Sequence, residues 1–352
     1  MQFHVNTSLV ETDAHMNRQW LLARRPQGMV RADDFRLVVN PLPDIGEGEI
    51  LVHNQLLSCD PTQRGWMAYD TYLPAVHIGE VMRGIAVGEV TNSRHPDFRV
   101  GQIVQGLFGW QEWAAVNPAK IPFCVLIPKG MSPELGVSLL GLTGLTAYFG
   151  LLEVGQAKAS DTVLISGAAG ATGSVAGQIA KLLGCRVVGI AGGPEKCARL
   201  LEEWGFDAAI DYKSENILTR LRKTCPTGVD LFFDNVGGDA LDAALLSLTL
   251  HGRIVLCGAI STYNLDGPAP GPRNYLRLLT RRARMEGFMV TDYMARADEA
   301  IAHLACWHQE GRIKQRVDVV TGFENAPAAL ARLFAGENQG KQLVRINAHE
   351  VG

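Results

Sequence analysis

Residues 166–178 read SGAAGATGSVAGQ. The stretch follows an apolar run, DTVLIS (161–166), and opens a segment with helical spacing. A glycine-rich turn between a strand and a helix suits a pyrophosphate. Bare backbone can approach the anion, and the helix aims its N-terminal amides and dipole at it. Gly170 permits that approach, and Gly173 lets the helix pack close to the sheet. Ala168 stands where the first glycine of G-x-G-x-x-G usually stands, and Gly167 beside it keeps the tight turn possible. Val175, Ile179, Leu182 and Leu183 are expected to form the buried face of the helix.

The next strand end distinguishes two dinucleotides. An NAD site places Asp or Glu there to hold the ribose hydroxyls. CRVVGIAGGPEKC instead places Gly192 and Gly193 there, with Lys196 close behind. No carboxylate opposes a 2′-phosphate and a lysine can pair with it, which points to NADP(H). Tyr212, after the third strand, either lines the adenosine pocket or caps the sheet. Two further strand ends, DNVGG (234–238) and CGAISTYN (257–264), offer backbone and short side chains to a nicotinamide ribose.

Metal chemistry finds little support. A catalytic zinc needs three protein ligands and an open position. His77-x-x-Glu80 lies in a turn-rich stretch, Cys59 is isolated in LLSCDPTQRGW, and no four-cysteine lobe exists. Without a Lewis acid, alcohol–carbonyl interconversion loses its usual electrophile. Hydride delivery to an activated C=C bond remains open, because the developing enolate needs only a hydrogen-bond donor.

These residues need elements to position them. From Trp20 to about Pro128 the chain shows short β-rich runs: EILVHNQLLSC, GIAVGEV, QIVQGLF and EWAAVNP. From Ser132, a plausible N-cap before Pro133, the spacing predicts a helix through SPELGVSLLGLTGLTAYFGLLE. Six apolar strands then alternate with helices, at 161–166, 185–191, 208–211, 230–235, 253–258 and 285–290. The helices are expected near 172–183, 194–204, 214–224, 239–249, 272–282 and 293–309. That order predicts an α/β fold, a doubly wound parallel sheet covered on both faces. VDVVTGF and KQLVRIN, flanking APAALARLFAG, return as strands and a helix after about residue 315. The expected division is a flexible extension over 1–16, a β domain from 17–131 and 315–352, and an inserted nucleotide-binding domain over 132–314.

The chain has 352 residues and a formal net charge of −3, which argues against bulk binding to nucleic acid or an anionic membrane. The cluster Arg277, Arg281, Arg282 and Arg284 reads as a solvated helix face. Seven cysteines without C-x-x-C suit a reduced compartment. With no secretory signal and no spanning apolar run, the expectation is a soluble, cytoplasmic protein.

At LLSCDPTQRGWM, GAAGATGSVAGQIAKLLGCRVVGIAGGPEKC, DLFFDNVGGDALDAALLSL, RIVLCGAISTYN and FAGENQGKQLVRI the chain resembles a known family. These are the zinc-independent medium-chain reductases of the prostaglandin reductase, leukotriene dehydrogenase and alkenal double-bond reductase branch, which includes bacterial curcumin reductase. The resemblance covers about residues 17–347. Where zinc relatives carry Gly-His-Glu, this chain has Met82-Arg83-Gly84. The resemblance implies a Rossmann domain inserted in a GroES-like β-barrel domain. It implies NADPH-dependent reduction of the double bond of α,β-unsaturated ketones and aldehydes, and a homodimer formed through edge strands of the nucleotide sheet.

Carried over to this sequence, Gly170, Ala171, Thr172 and Gly173 would hold the pyrophosphate. Lys196 would meet the 2′-phosphate, with Tyr212 beside the adenosine. Asn235 would hold the ribose side, and Cys257, Gly258, Ala259, Ile260, Ser261, Thr262 and Tyr263 would follow the nicotinamide half. Phe288, Met289 and Val290 would wall the nicotinamide, and Asn338 would close the site. Tyr263 matches the family tyrosine near the ribose and substrate carbonyl, and a neutral phenol can donate there. Where relatives often read Asp-Pro-Tyr-Met-Arg, this chain reads Asp60-Pro61-Thr62-Gln63-Arg64, so their tyrosine is absent and Tyr69 or Tyr72 is left to compensate. Two other functions fit the same loop: an NADPH:quinone oxidoreductase, and a nucleotide-binding sensor or structural protein without turnover.

Overall fold

The alternating runs in the first third of the chain form antiparallel strands in the computed structural model, which describes residues 16–346. The expected extension lies outside those residues, apart from Met16, which starts β1. β1 (Met16–Leu22) pairs with β2 (Phe35–Pro41) as a separate antiparallel ribbon. β3 (Ile50–Ser58), β4 (Ala86–Ser93), β5 (Ile103–Gly106), β6 (Trp113–Val116) and β7 (Cys124–Leu126) build a larger sheet around β3. The pairing of β3 with β4 slips between Asn54 and Leu56. Near there a Cβ on Gly88 would lie 2.3 Å from the His53 carbonyl, so glycine is what allows the close approach. Met82 is fully buried in this core, and a Cβ on Gly84 would meet the Trp110 indole at 2.6 Å. Met82-Arg83-Gly84 is therefore a packing unit here, with the Arg83 guanidinium 5.7 Å from the Trp66 ring centre.

The helix expected over 132–153 is broken. Ser132 caps Pro133–Val137, its hydroxyl accepting the Leu135 amide at 3.3 Å. A second helix runs Leu142–Phe149 and widens into one π turn, Gly150–Val154. The break spans residues 138–141, between the C-cap Ser138 and the N-cap Gly141, and a Cβ on Gly141 would come within 2.3 Å of Gln105 Oε1. Contact with the antiparallel sheet thus overrides a helical spacing that runs unbroken through the glycine.

Six strands follow: β8 (Thr162–Ile165), β9 (Arg186–Ala191), β10 (Ala208–Asp211), β11 (Val229–Asp234), β12 (Leu248–Leu256) and β13 (Arg284–Gly287). All neighbours are parallel, in the order β10-β9-β8-β11-β12-β13, the doubly wound arrangement expected. Alternate residues bury both faces. Val163, Ile165, Val187 and Phe233 pack with Val175 and Leu304 on one side. Leu164, Val188, Phe232 and Ile254 pack with Leu221 and Leu245 on the other. The sixth strand ends at Gly287, so Phe288, Met289 and Val290 lie just past its carboxyl end. The helix after the glycine loop spans Ala171–Leu182. Val175 and Ile179 are buried as expected, but Leu183 is the C-cap and 36% exposed. Gly173 to Ala180 are all buried, which makes the apolar face broader than a four-residue stripe.

β14 (Val317–Thr321) and β15 (Lys341–Arg345) return to the first sheet, β15 running antiparallel to β3. A buried ion pair joins the two passes of the chain, Lys341 Nζ to Asp60. Among the described residues no helix is long and apolar enough to cross a membrane.

Candidate active site

The glycine loop turns at Gly167 (φ +57°), beside the alanine that replaces the usual glycine. Ala168 is fully buried, and its amide donates to the Ile190 carbonyl at 3.0 Å. Its methyl carbon lies 2.9 Å from the place a Cβ on Gly189 would take. The glycine missing from the loop thus has a counterpart on the neighbouring strand. Gly170 caps the helix without a side-chain bond, leaving the amides of Ala171, Thr172 and Gly173 without helical acceptors. A Cβ on Gly173 would come 2.4 Å from the Gly167 carbonyl oxygen. This cradle of backbone donors, which a side chain at 173 would disrupt, fits a pyrophosphate.

One carboxylate holds the loops around it. Asp234, at the end of β11, is fully buried. Its Oδ1 accepts the Ser166 hydroxyl at 2.7 Å and the amides of Val236 and Gly237 at 2.9 and 3.0 Å. Its carbonyl accepts the amides of Cys257 and Gly258 at 2.9 and 3.0 Å. Asn235 adds two bonds, its amide to Ser166 Oγ at 2.8 Å and its Nδ2 to the Ser166 carbonyl at 2.7 Å. Three strand-end loops therefore converge on Asp234, whose carboxyl is pushed up by burial. Asn235 is marked by its place in DNVGG, whereas the role of Asp234 beside it appears only in the fold. The available signal was a carboxylate ending an otherwise apolar strand, DLFFD.

The loop after β12 packs on the same hub. The Ile260 amide donates to Asn235 O at 3.3 Å, and Ser261 donates to Val236 O through its amide at 3.1 Å and its hydroxyl at 2.6 Å. Thr262 Oγ1 donates to Ala259 O at 2.8 Å. Tyr263 folds back so that its phenol oxygen accepts the Ala259 amide at 3.0 Å. Burial raises its pKa, so the phenol is neutral at physiological pH and its O–H is directed away from that amide. Burial also pushes the Cys257 thiol up to about 12, which makes it a packing residue rather than a nucleophile. Phe288 touches the π turn, since a Cβ on Gly150 would lie 2.5 Å from its ring. Met289 begins the short turn Val290–Arg296, in which Val290 is buried.

At the carboxyl end of β9, Gly193 (φ +94°) makes the turn. Lys196 Nζ donates to the Gly336 carbonyl at 2.8 Å. Burial, then the charges of Lys213 and Arg199, hold its pKa below the ordinary lysine value. An anion placed there would relieve that repulsion. Asp211, the nearby strand-end carboxylate, already accepts the Gly193 amide at 2.7 Å, the Lys213 amide at 3.0 Å and the Ser214 hydroxyl at 2.8 Å. Tyr212 is 51% exposed, and a Cβ on Gly192 would meet its ring at 2.9 Å. Asn338 is buried in the turn after Gly336, donating to Gly340 O at 2.7 Å. Gln339 beside it accepts from Arg199 at 3.0 Å. The residues singled out in sequence thus form two groups along one sheet edge, with Lys196, Tyr212 and Asn338 at one end and Asn235 through Tyr263 at the other.

The antiparallel lobe faces the second group. The Gly28 amide donates to Asp266 Oδ1 at 3.1 Å, and Arg64 donates to the carbonyls of Pro26 and Gly28 at 3.2 Å. This ties the helix Thr62–Trp66 to the loop that carries Tyr263. Cys59 is buried and its thiol pKa is raised by burial. The Glu80 carboxylate accepts the His77 amide at 3.0 Å within its own turn. Among the described residues no three His, Cys, Asp or Glu side chains form a group that could hold a metal ion.

Comparison with known proteins gives two family-model matches, to the N-terminal domain of oxidoreductase over residues 18–122 and to zinc-binding dehydrogenase over 171–305. The NADPH-dependent curcumin reductase of Escherichia coli (strain K12) is 40% identical over 336 residues, covering 94% of this chain and 97% of that one. The NADP(+)-dependent 2-alkenal reductase of Nicotiana tabacum is 38% identical over 338 residues, covering 94% and 98%. The crystal structure of CurA from Vibrio vulnificus in complex with NADPH superposes with a TM-score of 0.88 at 40% identity, covering 94% of this chain and all of that one.

Proposed function

The chain belongs to the medium-chain reductase family of these NADP-dependent enzymes, and we propose that it reduces the C=C double bond of α,β-unsaturated ketones and aldehydes with NADPH. NADPH, when bound, supplies the hydride that the β-carbon accepts. The chain's own residues do the rest. The amides of Ala171, Thr172 and Gly173 hold the pyrophosphate, and Lys196 meets the 2′-phosphate. Asn235 and the loop Cys257–Tyr263 fix the nicotinamide end, with Phe288, Met289 and Val290 as its wall. Tyr263 donates its proton in a hydrogen bond to the carbonyl oxygen, where negative charge develops as the enolate forms. Solvent or a relayed proton then completes the α-carbon.

The observation that carries this reading is the Tyr263 phenol. It accepts the Ala259 amide at 3.0 Å and has its proton free, on the strand-end loop that Asp234 ties to the pyrophosphate cradle. The domain division at 131/132 and 314/315 and the homodimer belong to the same proposal. β13 is one of the two edge strands of the parallel sheet, and exposed Leu276 and Leu279 lie on the helix before it. NADPH consumption with a panel of enals, enones and quinones tests the function. Turnover of the enals and enones ahead of the quinones is expected. Preference for quinones would favour the quinone reductase, and turnover of none the non-catalytic binder.

A further inference from the structure

The amino ends of the parallel strands frame a second cavity, away from the dinucleotide loops. Its volume is about 500 Å³, within the range that takes a small organic ligand. Its walls come from the last turns of the helices Ile217–Thr224 and Gly238–Ser247 and from the helix Leu276–Arg281. Gly228, just before β11, and Leu248, the first residue of β12, also line it. The length of β11, Val229–Asp234, about 16 Å, separates this cavity from the Asp234 hub.

Three guanidiniums line the cavity, Arg222 from the first of these helices and Arg277 and Arg281 from the third, and no Asp or Glu does. Arg277 and Arg281 stand four residues apart on one helix, a spacing at which like charges repel. Among the described residues, no carboxylate pairs with any of the three. Arg273 and Arg284, on either side of that helix, each have one, Asp242 at 2.8 Å and Glu286 at 3.8 Å. The negative ends of the helix dipoles account for Arg222 and Arg281, each in a last turn. They do not account for Arg277, whose Nε is buried without an acceptor. Such a donor costs stability unless a ligand accepts from it. The arginine run that reads in sequence as a solvated face is therefore divided, with Arg277 and Arg281 lining the cavity.

Much of the remaining wall is apolar. Leu218, Leu246 and Leu250 line it, and Leu246 and Leu250 are exposed. Guanidiniums match carboxylate and phosphate oxygens, whereas leucines offer a bare inorganic ion nothing. We propose that this cavity binds an amphipathic anion, with a carboxylate or phosphate head on Arg222, Arg277 and Arg281 and an apolar chain along the leucines. The site is separate from the active site and does not rest on the enone-reductase reading.

The test is calorimetric titration of the full-length protein saturated with NADP+, so that the dinucleotide cleft is filled. The probes are decanoate and decyl phosphate below micelle-forming concentrations, with decanol and inorganic phosphate as controls. One-to-one, saturable binding of decanoate or decyl phosphate is expected, with both controls at least roughly tenfold weaker because each lacks half of the ligand. Arg277→Gln/Arg281→Gln should weaken that binding roughly thirtyfold or more through loss of charged hydrogen bonds. Leu250→Asp, at an exposed position, should weaken it as well while leaving every arginine in place. The Kd for NADPH stays unchanged in both variants, and circular dichroism confirms their folding. Inorganic phosphate binding as tightly as decyl phosphate overturns the amphipathic ligand. Absence of binding by both probes, or affinities that neither variant changes, overturns the site.

Discussion

On the parallel-sheet side of the cleft, three loops converge on the buried carboxylate of Asp234 and are stitched by backbone amides. On the antiparallel side, Tyr69 and Tyr72 stand 57% and 46% exposed, on a turn held by local bonds such as Ala75 to Asp70 and Thr62 to Tyr72. The difference separates two tasks. A dinucleotide with fixed shape is best met by a frame set before it arrives, since positioning done in folding is not repeated in binding. A range of unsaturated carbonyls is better met by side chains that can adjust on a surface turn.

The contrast breaks most sharply at Gly173. Its missing Cβ would sit 2.4 Å from a backbone oxygen that cannot move alone. Gly173→Val should weaken NADPH binding by roughly 100-fold, the equivalent of ~3 kcal/mol of overpacking, as read by fluorescence titration with far-UV circular dichroism to confirm folding. Lys196→Ala comes next. Loss of a charged hydrogen bond worth about 2 kcal/mol raises the NADPH Kd roughly thirtyfold, while the weaker binding of NADH changes little. That pairing of results separates the 2′-phosphate from the rest of the cofactor. Tyr72→Phe should have the smallest effect on cofactor affinity, none within error. An equal effect of Tyr72→Phe on NADPH affinity would erase the division between the lobes.

The parallel sheet was legible because buried strands are nearly continuous runs of Val, Ile, Leu and Phe separated by helix-forming stretches. All six strands appear in the doubly wound order. The helix break between Val137 and Leu142 was not legible, since the close packing of Gly141 within it is against Gln105, a residue of a different sheet. Asp234 was hidden for a similar reason. Its partner Ser166 lies 68 residues earlier, and no local pattern shows that the two meet. Leu183 was misplaced because helical spacing continues past the point where the helix ends. The Thr62 departure was visible in sequence, but the bond from Thr62 to Tyr72 needed the turn between them. In general, the glycine-rich strand-end turns were easier to read than the buried groups that hold them, because turn geometry restricts residue type locally and packing does so only through distant neighbours.

Under the proposed function, hydride reaches the carbon beta to a carbonyl while Tyr263 steadies the oxygen. The direct measurement is the fate of deuterium from NADPH labelled at nicotinamide C4, with benzylideneacetone as acceptor and the product read by NMR. The expected product is the saturated ketone, with deuterium at the β-carbon and a solvent proton at the α-carbon. An allylic alcohol carrying deuterium on the former carbonyl carbon would contradict it.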